Sequence, residues 1–95
     1  MALSANLSDK QLTDQGADLY QCSYTCTIVD ELSNLILAET VSGAANRLNA
    51  EWKSIVAGQI ATAVNGLLAK AADKITMDAK TAGLSDDVAA LIGGV

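Results

Sequence analysis

Between Lys53 and Lys70 the chain runs through Ser54–Ala69 without a single charge, inside its strongest helical pattern. A surface helix in a small soluble protein keeps one charged, wet face. This stretch is apolar or small most of the way round, so it requires neighbours on more than one side. Leu48, Trp52, Ile55, Val56, Ile60, Val64, Leu67, Ala71 and Ile75 fall on one broad helical face. The spacing predicts a helix from about residue 44 to about residue 81. Gly83 follows as a left-handed terminator, with Lys80 in the last turn. Ser85 then caps a short helix over about 86–92, with Asp86 and Asp87 in its first turn and Gly93-Gly94 at its end.

Upstream, Leu7-Ser8-Asp9-Lys10-Gln11-Leu12 has the form of a capping box. Ser8 stands as N-cap, Gln11 at N3, and Leu7 and Leu12 are placed for a hydrophobic staple. A helix is therefore expected from about residue 9 to about 42, preceded by an arm of residues 1–7. No proline obliges it to stop. Its apolar stripe changes side: Leu12, Leu19 and Cys26 share one face, whereas Ile28, Leu32, Leu35 and Ile36 share another. Tyr20, Cys22, Tyr24, Cys26 and Ile28 also alternate with polar residues of high β propensity, so this stretch reads as a strand as well. With no second strand pattern in view, such a strand would need a partner from another chain. Helical signals on both sides favour the helix. Ser42-Gly43 is the one break, and it joins the two long helices into an antiparallel hairpin. The expected fold is all-α: a hairpin of helices (about 9–42 and 44–81) plus a short C-terminal helix, in a single domain of 95 residues packed in an oligomer.

Composition narrows the chemistry. The chain has no histidine, the commonest neutral-pH base and metal ligand. Cys22 and Cys26 without a nearby histidine make a poor zinc site, and they read as buried, reduced, small apolar residues. Asp30 with Glu31, or Glu39 with Glu51, has no cleft or nucleophile beside it. No Walker or dinucleotide-binding glycine pattern is present. A non-enzymatic protein without metal or cofactor is expected. Met1–Leu12 lacks the features of a signal peptide, so cytoplasmic synthesis is expected.

The net charge of −5 is uneven. Residues 1–43 carry Asp9, Asp14, Asp18, Asp30, Glu31 and Glu39 against Lys10 alone. Without a basic stripe, direct nucleic-acid binding is not expected. The acidic half suits a basic protein partner; the plain alternative is a solvated face. Ser54–Ala69 spans only about 24 Å as a helix and contains Gln59, Thr62 and Asn65, so a membrane span is not expected.

Candidate contact residues concentrate on the second helix. Gly58, Thr62 and Gly66 recur every four residues, with Ala57 and Ala61 in a parallel row. Glycine costs about 1 kcal/mol relative to alanine inside an exposed helix, so two glycines point to close helix–helix approach. Trp52 lies on the apolar stripe as core or as an interface anchor. Asn65 can fix register in a packed seam. Leu91, Ile92 and Val95 end the chain apolar, as tail contacts. The leading expectation is a structural subunit that self-assembles with copies of itself. In alanine-rich composition alone it resembles subunits of helical filaments and virion shells. The alternatives are a small acidic inhibitor or regulator, of phage or mobile-element type, and a membrane-active or pilin-like helical hairpin with Ile28–Ala38 and Ser54–Ala69 as arms.

Overall fold

The computed structural model describes residues 2–93, so Met1, Gly94 and Val95 lie outside it. Three strands are followed by two helices: β1 (Ser4–Asp14), β2 (Leu19–Val29), β3 (Leu35–Asn46), α1 (Trp52–Lys80) and α2 (Leu84–Ile92). The strands form one antiparallel sheet in the order β1-β2-β3. The fold is α+β, and the expected all-α hairpin is overturned. Residues 9–42 are strand and turn, and Ser42-Gly43 lies within β3 rather than at a helix break.

Turn chemistry decides the first half. After β1, the Asp14 carboxylate accepts the Gly16 N–H at 2.9 Å. Gly16, Ala17 and Asp18 all take left-handed φ values, reversing the chain into β2. After β2, Asp30 Oδ1 accepts the N–H groups of Leu32 and Asn34, each at 2.9 Å. Ser33 supplies the positive φ there. These Asx-type turns are local alternatives to helix that aspartate and asparagine favour.

The capping-box signal has a strand explanation. Leu7 pairs with Cys26 and Leu12 with Cys22, and the register shifts between Ser8 and Gln11. One extra residue is accommodated in a bulge at Asp9-Lys10, where Asp9 adopts φ 57. Leu7 and Leu12 thus reach the same sheet face although they are five residues apart. That spacing is also the one a hydrophobic staple uses. The strand reading of Tyr20–Ile28 is the one realised, with both partners supplied by the same chain.

The β2–β3 register aligns Cys22 with Gly43, Tyr24 with Val41, Cys26 with Glu39 and Ile28 with Leu37. Cys22, Cys26, Ile28 and Val41 form the sheet side of the core. Val56, Ile60 and Ala71 of α1 complete it. Both cysteines are free and buried. Four residues apart on one strand, they are about 13 Å apart and beyond disulfide reach.

Paired Asx turns between β3 and α1 delay the helix start from the expected residue 44 to Trp52. Asn46 accepts the Leu48 N–H and Asn49 the Glu51 N–H, each at 2.8 Å. At its far end, Gly83 is left-handed (φ 75) and serves as N-cap of α2. Gly93 is the C-cap of α2, and the expected contribution of Gly94 lies outside the described residues.

Candidate functional site: an open groove beside the long helix

Helix α1 lies chiefly over β3, and specific contacts fix it there. Gly43 allows a close approach: a Cβ on it would meet Val56 O at 2.9 Å and Gln59 Cβ at 3.1 Å. Gln59 then grips the outer edge of β3. Its Oε1 accepts the Ala44 N–H at 2.8 Å and its Nε2 donates to Ala44 O at 3.1 Å. Trp52 Nε1 donates to Ala45 O at 3.1 Å. At the other end of the strand, Lys70 pairs with Glu39 at 2.6 Å and Lys74 donates to Ile36 O at 2.9 Å.

Because α1 sits over β3, the helix-side surface of β1 and β2 is left partly bare. A groove of about 490 Å³ runs between that surface and the helix. Ala5 and Leu7 of β1 and Cys22 and Tyr24 of β2 form its floor. Val56, Ile60 and Val64 form its wall, and Ala57, Ala61 and Asn65 its outer lip. Trp52 and Lys53 close one end. Burial, and then the neighbouring Cys22, push the Tyr24 hydroxyl above the ordinary phenol range, so it stays neutral near pH 7. The groove is therefore apolar and uncharged apart from Lys53.

The small residues expected to form one contact set are divided by the structure. Ala57, Ala61 and Asn65 line the groove, with Trp52 at its end. Gly58, Thr62 and Gly66 are exposed on a different side of α1, and nothing lies within 4 Å of a Cβ placed on either glycine. Thr62 Oγ1 donates to Gly58 O at 3.0 Å. So the charge-free stretch has one side clothed by the chain's own sheet and the other bare in the single chain. The groove floor and the Gln59 clamp were missed from sequence. The alternation of Tyr20–Ile28 was the signal that could have found the floor.

The last stretch of the described chain has no cover. From Thr76 through Gly93 every residue is exposed, and α2 packs against no other element. Leu84, Val88, Leu91 and Ile92 fall on one stripe of α2, with Leu91 87% exposed and Ile92 65%. Of the expected tail contacts, Val95 lies outside the described residues.

The acidic half is largely committed internally. Asp18 pairs with Arg47 at 2.9 Å and Glu39 with Lys70. Asp30 organises its own turn, where the N–H of Asn34 holds its carboxyl below the usual carboxylate range. Among the described residues no cluster of three or more His, Cys, Asp or Glu is placed to hold a metal. By length and composition alone α1 could cross a membrane, contrary to the expectation from Ser54–Ala69. The membrane hairpin itself is overturned in part, because Ile28–Ala38 is strand and turn rather than a helical arm. Comparison with known proteins found no matching family model, no similar curated protein and no similar solved structure.

Proposed function

We propose that this chain is a non-enzymatic structural subunit that assembles with copies of itself. One observation carries the reading: the single chain exposes too much surface. Its accessible area is 6477 Å², whereas a folded monomer of its mass exposes about 5,100 Å². The excess is larger than the ~800 Å² that one partner loses in a standard interface. The radius of gyration is 19.4 Å and the longest dimension 68 Å, against a radius of about 12 Å for a self-contained domain of this length. Much of the excess is apolar, in the groove and along α2, which is the composition expected where subunits meet.

The alternative of an acidic ligand for a basic partner is weaker, because Asp18, Glu39 and Asp30 already have partners. The likeness to all-helical subunits rested on composition and does not carry over to an α+β fold. Size-exclusion chromatography with light scattering on the full chain tests the proposal. A mass at a multiple of 9.7 kDa is expected at micromolar concentration. A monomer at every concentration, with a cooperative melt, overturns it.

A further inference from the structure

Deepening that reading, and resting on it, we infer that the groove beside α1 is the receptor for helix α2 of a second copy of this chain. The two surfaces match in chemistry. The groove is apolar, and α2 offers Leu84, Val88, Leu91 and Ile92 at the i, i+4, i+7, i+8 spacing of helix-in-groove anchors. Lys53 closes one end of the groove, and Asp86 and Asp87 occupy the first turn of α2. A docked α2 with its N-terminus at the Lys53 end sets opposite charges together at the rim, where they fix direction more than affinity.

Reach excludes the chain's own α2. From Lys80 back to Asn65, the nearest groove residue of α1, is about 22 Å of helix axis. Helix α2 has nine residues and is about 13 Å long. Only Thr81–Gly83 link the helices, so a folded-back α2 would cover the end of α1 and stop short of the groove. The occupant must come from another molecule, and each chain then both donates a helix and receives one. Reciprocal exchange closes a two-fold dimer, and onward passing builds a ring or filament.

Tagged chains carrying Ala57→Cys, mixed with untagged chains carrying Val88→Cys and oxidised, test the contact directly. A disulfide between unlike chains is expected, mapped by mass spectrometry to position 88 joined to position 57 or to the native Cys22. In parallel, Val88→Gln/Leu91→Gln should reduce the light-scattering mass to that of one chain while leaving the melt of dilute protein unchanged, because α2 supports nothing in its own chain. An oligomer that survives the double substitution and gives no such cross-link overturns the inference and leaves self-assembly standing. A wild-type monomer at all concentrations overturns both. Partition of the wild type into phosphatidylcholine vesicles, lost in the double variant and without the cross-link, overturns the inference in favour of a lipid surface.

Discussion

The side-chain amide of Gln59 both donates to and accepts from the backbone of Ala44, where α1 packs closely on β3. The adjacent Gly43 makes the approach possible. An added methyl would meet the Val56 carbonyl at 2.9 Å, and that oxygen belongs to helix backbone and cannot swing aside. Gly43→Ala is therefore expected to destabilise the fold by about 1–3 kcal/mol, the range for overpacking. Urea denaturation measures it. An unchanged midpoint would mean the helix does not sit where the contact places it.

Lys70→Ala should have a much smaller effect. Its ion pair with Glu39 is exposed, at 62% and 43% for the two side chains. Such pairs contribute about 0.2–1 kcal/mol and are screened by salt. The same denaturation experiment at low and high ionic strength should show the difference between variant and wild type shrinking as salt is added.

Gly58→Ala and Gly66→Ala should each stabilise the single chain by about 0.5–1 kcal/mol, because both glycines lie inside a helix with open space around them. The same substitutions also probe the outer face of α1. If the light-scattering mass holds while stability rises, assembly does not use that face. If the mass falls, copies meet there as well.

Acid should loosen the β2–β3 turn. Hydrogen bonds from Asn34 and Leu32 depress the folded-state pKa of Asp30. A depressed carboxylate contributes stability above its unfolded value, about 3.9, and that contribution is lost as pH falls through the folded value. Asp30→Asn should remove the Asp30-dependent part of the acid sensitivity. Melts between pH 2 and 5, with the Asp30 carboxyl followed by NMR, check this. An ordinary titration midpoint for Asp30 would contradict the hydrogen bonding described for the turn.

Cys26 is 0% exposed and burial raises its thiol pKa, so it should resist iodoacetamide in the native protein and react fully in urea. Rapid labelling without denaturant would show that β2 is not the centre of the core.

The second half of the chain was far more legible than the first. The pattern from Trp52 to Ile75 is long enough to specify a helix by itself, and Gly83 marks its end through a conformation that few other residues adopt. The strands were hidden by two coincidences. The bulge at Asp9-Lys10 breaks the alternation of β1 and gives Leu7 and Leu12 the spacing of a helical staple. In β3, Leu35 and Ile36 extend the helical spacing begun by Ile28 and Leu32, although Leu32 lies in a turn. The turn residues were present as Asp14, Gly16, Asp18, Asp30 and Asn34, but each turn adds an aspartate side-chain-to-backbone bond to its backbone bonds and carries no glycine–proline signature. Of the site, the α1 lip could be read from the small residues. The floor was legible only by half: Cys22 and Tyr24 stand in the alternation of Tyr20–Ile28, whereas Ala5 and Leu7 join them only once β1 and β2 pair.

Among the described residues, α2 touches no other element, so it is an outrigger rather than part of the hull. Its apolar side chains contribute nothing to the packing of the chain's own core. Whatever restraint evolution has placed on Leu84, Val88, Leu91 and Ile92 must therefore have been imposed from outside the molecule.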